Sequence, residues 1–341
     1  MSKTKYKSPK KKPSPKWDLY RDGLSQSLMN RFIDCRETFR LYAVEGFRTA
    51  SVRRARDFGT IYHKLVELHA RGKPIKTHFP AWLKRKYSRL SPEDRKYIRL
   101  DAKVAQMMFE EYRRALPDRY KYIAAEETFT EELKLPNGKI VKMRGRTDEL
   151  IDRGKNGIWI QENKTKQRID MLFIEDTLRR NLQTMLYAWA MQKRYGRPVT
   201  GIVYNVIRQP SQRRKEDETE DQFVDRIRQD VRKRPSHYFQ RRKVDLTREH
   251  HRHWMNSELI PLVNHICAWW ESIKNDPFHP WATADGLPNP HHFARPFGIY
   301  SPMSNGRGDF YEYKLYGKRT NIVIEDNPFG ELEDENDDAD P

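Results

Sequence analysis

The sequence predicts an α/β fold in which a mixed central sheet is flanked by helices and preceded by a helical lobe. Three features carry that reading. Apolar residues recur with helical spacing in three early stretches, strand-like segments fill residues 122–164, and a further helix and strand follow at 177–195 and 201–207.

Taken in order, residues 1–19 are rich in Lys, Pro and Ser, the composition of a disordered basic tail. Helical spacing then appears at about 25–43, 55–71 and 92–115. The cluster Asp152, Arg153, Gly154, Lys155, Asn156 and Gly157 is turn chemistry, and it separates a strand over 144–151 from one over 158–164, so the two form a hairpin. Phe223, Val224, Ile227 and Val231 mark one apolar stripe of a later helix, the segment SHYFQRRKVDL reads as a strand, and 246–274 reads as one long helix.

The hairpin holds the residues that matter most. Side chains alternate along a strand, so Glu162 and Lys164 share one face while Gln161 and Asn163 take the other. Asp148 falls across the hairpin from that first pair. Two carboxylates held close repel unless a proton or a cation lies between them, and hard oxygen ligands suit Mg²⁺ or Mn²⁺. A lysine beside them can orient a water or neutralise charge developing on a phosphate. An ordinary surface hairpin with a Glu/Lys pair is the alternative that this spacing leaves open. Upstream, Gly59, His63 and Glu67 recur every four residues on a helix whose other stripe is apolar. Downstream, Gln183 and Tyr187 stand one helical turn apart, while Glu126 and Glu127 read as the solvated edge of a strand, with a further carboxylate supporting the site as the alternative.

Gly59 with His63, Gly145 with Asp148, Glu162 through Thr165, and Gln183 with Tyr187, in that order, resemble the RecB-type branch of the PD-(D/E)XK nuclease superfamily, which includes phage and CRISPR-associated exonucleases. The resemblance spans roughly residues 25–210. It implies a restriction-endonuclease-like core, with His63, Asp148, Glu162 and the Asn163 carbonyl around a Mg²⁺ or Mn²⁺ ion, Lys164 positioning the attacking water, and Gln183 and Tyr187 on the DNA backbone. Many relatives also hold an iron–sulfur cluster on four cysteines. Only Cys35 and Cys267 occur here, so no such cluster is expected. The domain organisation expected is a basic tail over 1–19, a single nuclease domain over 20–320, and an acidic tail over 321–341. Within that domain the helical lobe occupies about 20–118, the catalytic core about 119–208, and a basic insertion with a C-terminal wrapping part about 209–320.

Charge points the same way. The chain carries a formal +18, although seven lysines in the first sixteen residues are outnumbered by nine acids after residue 324. The excess therefore lies in the intervening chain, as expected for an anionic partner such as DNA. Arg226, Arg232, Arg241 and Arg242 are the candidate contacts to its backbone. Aromatic Trp281, Phe293, Phe297 and Tyr300 are expected to pack where relatives hold their cluster, with His291 and His292 as conceivable partners of Cys35. Two cysteines and the lack of a long apolar run predict an intracellular, cytoplasmic protein without a membrane span. The function expected is a Mg²⁺-dependent DNA exonuclease in replication, repair or recombination, in a cellular or viral setting, with a helicase or single-strand-binding partner supplying any unwinding. A catalytically silent DNA-binding scaffold, an endonuclease, or a nuclease subunit needing a partner helicase are the alternatives.

Overall fold

The computed structural model describes residues 14–49, 54–88, 90–169, 174–277 and 322–324. In chain order the elements are α1 (Leu19–Asp22), β1 (Leu24–Ser25), α2 (Gln26–Asp34), α3 (Arg36–Phe39), β2 (Phe47–Thr49), α4 (Arg54–Ala70), α5 (Ile75–Lys86) and α6 (Pro92–Ala115). They continue as β3 (Lys121–Lys134), β4 (Ile140–Asp152), β5 (Ile158–Lys166), α7 (Ile174–Arg180), α8 (Leu182–Tyr195), β6 (Val199–Arg208), α9 (Glu220–Lys233) and α10 (Pro235–Tyr238). Last come β7 (Phe239–Asp245), α11 (Arg248–Trp254), α12 (Ile260–Ile273) and β8 (Ile322–Ile324).

A six-stranded sheet runs β1-β4-β5-β6-β7, with β3 paired to β4. Pairing is antiparallel for β4–β5 and β6–β7 but parallel for β5–β6. The sheet is therefore mixed, with helices in its connections, as the sequence predicts.

The chain divides into two compact units. One comprises residues 1–50, 136–142 and 264–341. Its packing is aromatic: Trp17 meets Phe39 and Trp270 edge to face, with ring centroids 5.1 and 5.0 Å apart, and Phe32 packs likewise on Phe39 and Trp269. Trp17 is fully buried, and Asp18 caps α1 by accepting hydrogen bonds from the Tyr20 and Arg21 amides. Trp17, Asp18 and Leu19 are thus packed or capped although they belong to the stretch whose Lys/Pro/Ser composition predicts a tail. The helix expected over 25–43 is interrupted at Cys35, whose backbone is extended. Cys35 and Cys267 are buried free thiols. The expectations for Trp281, His291, His292, Phe293, Phe297, Tyr300 and the acidic end fall outside the described residues.

The other unit, residues 51–135 and 143–263, holds most of the sheet. Phe58, Ile61, Tyr62, Leu65 and Leu68 of α4 form one core with Ile98, Ala105, Met108, Phe109 and Tyr112 of α6. Ser91 caps α6 and Pro92 occupies its first turn, which sets the boundary where the periodicity places it. The helix expected over 177–195 is two helices. Asn181 accepts a hydrogen bond from the Thr184 amide and so starts α8 afresh. The long helix expected over 246–274 runs as α11 and α12 joined by a π-helical turn, Met255–Leu259. Helix α5, with Pro80 inside it, has no counterpart in the sequence reading. Among the described residues no helix is long and apolar enough to cross a membrane.

Candidate functional site

The ladder between β4 and β5 pairs Glu149 with Gln161 and then stops. The next positions, Asp148 and Glu162, therefore oppose each other where the strands part. Both carboxylates are buried, 8% and 1% exposed. Asp148 Oδ2 accepts a hydrogen bond from the Asn163 amide at 2.7 Å, and Asp148 Oδ1 lies 3.5 Å from His63 Nδ1 of α4. Helix α4 approaches β5 closely because residue 59 is glycine: a Cβ there would lie 3.0 Å from Thr165 Oγ1.

Lys164 Nζ lies 3.1 Å from Glu162 Oε2 and donates to Gln183 Oε1 at 3.1 Å. Gln183 Nε2 in turn donates to Glu162 Oε2 at 2.9 Å. Glu162, Lys164 and Gln183 thus close a ring of polar contacts on one carboxylate oxygen. The other oxygen, Glu162 Oε1, is buried without a hydrogen-bond partner. Tyr187, one turn beyond Gln183, is buried against Phe129 at 5.6 Å between ring centroids. Gly145 makes room for both rings, since a Cβ there would lie 2.7 Å from Phe129 and 2.8 Å from Tyr187.

Of the two sequence readings of Glu126, the favoured one, a solvated edge, is incorrect, and the alternative of a carboxylate beside the site is the one that fits. Ligand atoms of Glu126, His63 and Asp148 all lie within 4.8 Å of one another. Glu126 reaches them because its backbone is left-handed, with φ of 52°, a conformation that an L residue adopts at a cost of about 1–2 kcal/mol. Arg71 donates to the preceding carbonyl of Ala125, and Arg146 pairs with the Glu126 carboxylate at 2.7 Å. These contacts hold the irregular turn of β3. Strand alternation gives no signal for it, since a positive φ interrupts the extended backbone on which alternation rests.

Behind the site, on the opposite face of β5, lies a buried polar chain. Glu149 accepts from Asn163 Nδ2 at 2.7 Å and from Gln161 Nε2 at 3.3 Å. Asn205 of β6 donates to Asn163 Oδ1 at 3.0 Å and accepts from Arg241 Nε at 2.7 Å. Arg241 also meets Tyr112 and Asp118. Asn163 is thus clamped from both sides while its own amide holds Asp148.

The charges are unequal in ease of ionisation. Burial opposes ionisation of Asp148, but His63, Lys164 and the Asn163 amide outweigh it and hold the carboxyl down at about 2. Burial pushes Glu162 up to about 7 in spite of Lys164. Burial likewise works against charge on Lys164, which Glu162 and Asp148 nevertheless raise. A nitrogen ligand, nearby carboxylates and one buried carboxylate oxygen lacking a donor form a set that could hold a hard divalent cation.

Of the arginines singled out as DNA contacts, three are engaged within the protein. Arg226 pairs with Glu218 at 2.7 Å, Arg232 with Glu111 at 2.7 Å, and Arg241 with Asp118. Arg242 is exposed. His251 is buried and hydrogen-bonded to the Val199 carbonyl at 2.9 Å, and His250 completes the capping box of α11, which gives these histidines structural work.

No curated protein matches the chain. Among solved structures, one described as "Crystal structure of SSO0001" aligns with 61% of this chain and 84% of its own at 15% identity, with a TM-score of 0.23. The sequence pattern of the PD-(D/E)XK nuclease superfamily matches residues 23–269, a span that contains every site residue described above. The chain belongs to the PD-(D/E)XK nuclease superfamily.

Proposed function

We propose that this protein is a Mg²⁺- or Mn²⁺-dependent deoxyribonuclease, acting foremost as an exonuclease that leaves 5′-phosphate ends. The observation that carries the reading is the gathering of His63, Glu126 and Asp148 around one point, beside a Glu162 oxygen that no donor satisfies. In this reading His63, Asp148, Glu162 and the Asn163 carbonyl hold the ion, and Glu126 joins them. When bound, the cation supplies Lewis-acid polarisation of the phosphate and a more acidic water.

The chain's own groups do the remaining work. Gln183 fixes the Lys164 ammonium beside Glu162, so its charge stands ready for the water or for the oxygen that gains charge as the phosphodiester breaks. Tyr187, one turn beyond Gln183 on α8, is buried against Phe129. Arg242 and the exposed bases beside it offer contacts to the DNA backbone. Work on DNA in replication, repair or recombination inside the cell suits this chemistry, with unwinding supplied by a partner.

Purified protein incubated with linear DNA, circular DNA and RNA, with Mg²⁺ or EDTA, tests the proposal. Cleavage of linear DNA that needs Mg²⁺ and disappears in Lys164→Ala is expected. Undiminished cleavage by Lys164→Ala would remove the assigned site, and DNA binding without cleavage would turn the reading to a scaffold.

A further inference from the structure

The parallel strands β5 and β6 end side by side, and the Gln209 amide donates to the Lys166 carbonyl at 2.8 Å just past them. In open α/β sheets, ligands bind outside the carboxyl ends of such strands. A cavity of about 550 Å³ opens at this point, with Gln167 and Gln209 on its wall. That volume suits a small organic group.

Its lining is graded. Phe58, Phe223, Ile227 and Val104 are buried and form an apolar floor. Tyr97 stands at the rim, 46% exposed. Hydrogen-bonding groups follow in the wall: Asp101, Gln167, Gln209, and Gln212, whose Oε1 is buried without a partner. Lys96, Arg213 and Arg214 supply positive charge, and neither Lys96 nor Arg213 has a carboxylate partner among the described residues. Of the other acids in the lining, Glu220 pairs with Lys103 at 3.1 Å, and Glu93 stands in the first turn of α6. A flat, partly apolar group with donors at its edge, tethered to a phosphate, matches the apolar floor, the acceptors of the wall and the three basic side chains. Such a group is a nucleobase.

The cavity is also placed for it. Gln167 lies just past the end of β5, three residues and at most about 10 Å beyond Lys164 along the chain. Phe58 lies five residues before His63 on α4, about 7.5 Å along its axis. Both elements that bear site residues therefore run from the site to the cavity wall.

We propose that this cavity receives an unpaired base of the strand being cut, next to the scissile phosphate, and so selects single-stranded DNA ends. The proposal rests on the nuclease reading for the identity of the strand. Tyr97 stacks on the base, Asp101 and Gln212 accept hydrogen bonds from its edge, and Arg213 with Lys96 faces its phosphate. A base held in a duplex has its edge occupied and its faces stacked, and cannot enter without unpairing.

The test uses the full chain with Ca²⁺ in place of Mg²⁺, and fluorescence anisotropy of three labelled probes: a single strand, a blunt duplex of the same sequence, and an abasic strand of the same length. Tyr97→Ala and Arg213→Ser alter rim residues and leave the core intact. Tyr97→Ala should weaken single-strand binding by about tenfold, as base–aromatic stacking warrants, and Arg213→Ser should weaken it through the lost phosphate contact, with duplex binding nearly unchanged in both. The abasic strand should bind the wild type as weakly as the intact strand binds Tyr97→Ala, and Tyr97→Ala should cost the abasic strand nothing further. Unchanged single-strand affinity in both variants, or a loss in Tyr97→Ala that is equal on the single-strand, duplex and abasic probes, would overturn the proposal. A protein that cuts DNA yet lacks this pattern refutes the cavity alone. One that shows the pattern but never cuts refutes the nuclease reading alone.

Discussion

Asn163 does two things at once, and its substitution partners separate them. Its amide holds Asp148, while its side chain is gripped by Glu149 and Asn205 on the far face of the strand. Asn205→Leu should leave Asn163 Oδ1 and Arg241 Nε without partners in a buried setting. A loss of about 3 kcal/mol in urea unfolding is expected, since each orphaned group costs about 1–3 kcal/mol. Asn205→Asp keeps the acceptor for Arg241 but loses the donor, so calorimetric titration should show weaker Mn²⁺ binding with a smaller loss of stability. Glu162→Gln is predicted to go the other way. It replaces a buried charge whose Oε1 lacks a partner, so thermal unfolding of the metal-free protein at pH 8 should rise by about 1–3 kcal/mol while DNA cleavage disappears. Individual residues were unequally legible. Asp148, Glu162 and Lys164 were readable because strand alternation across a hairpin places them near one another. His63 was placed beside them by the family resemblance, its helical spacing showing only a polar stripe with Gly59 and Glu67. Glu126 was not, because its left-handed backbone breaks the alternation that any such reading relies on. Arg241 was not either, since the partner that claims it, Asp118, is distant in the chain.

At the scale of elements, β3 and α9 give separate tests. At a left-handed position glycine is free of the strain that alanine meets. Glu126→Gly should therefore be more stable than Glu126→Ala by about 1 kcal/mol, the reverse of their order in a regular strand, and both should bind metal more weakly. In α9, Arg234 hydrogen bonds, joined by the Tyr238 hydroxyl, hold Asp230 down at about 2 against an ordinary 3.8. A carboxyl depressed on folding contributes stability above its unfolded value and loses it as pH falls toward the folded one. Stability should thus decline between about pH 4 and pH 2, and Asp230→Asn should flatten that limb in acid titrations followed by circular dichroism. The hairpin of β4 and β5 was legible because six turn residues punctuate two apolar runs, and α6 because Ser91 and Pro92 announce its start. Helix α5 went unread because Pro80 sits inside it and its buried side, Phe79 and Trp82, is too short to show a period. The break between α7 and α8 hides in one capping asparagine, a signal that looks like any polar residue on a helix surface.

For the molecule as a whole, the +18 charge overstates what is available to a polyanion, because Arg226, Arg232 and Arg241 are spoken for by internal carboxylates. Binding should still be electrostatic, but with a gentler salt dependence than the count of bases suggests. A plot of log affinity against log salt for duplex DNA should give a slope near −0.9 for each phosphate neutralised, and neutralising Arg226 or Arg232 should leave that slope unaltered. A slope of zero would contradict an electrostatic footprint. The nine residue pairs that tie β5 to β6 have a different bearing. They set the phase of β5: slide that strand by one position and Gln161 and Asn163 would face Asp148 and His63 while Glu162 and Lys164 turned toward Arg241. One alanine inserted just before Glu162 should therefore silence the protein as thoroughly as deleting its acids, although every reactive group would still be present in the chain.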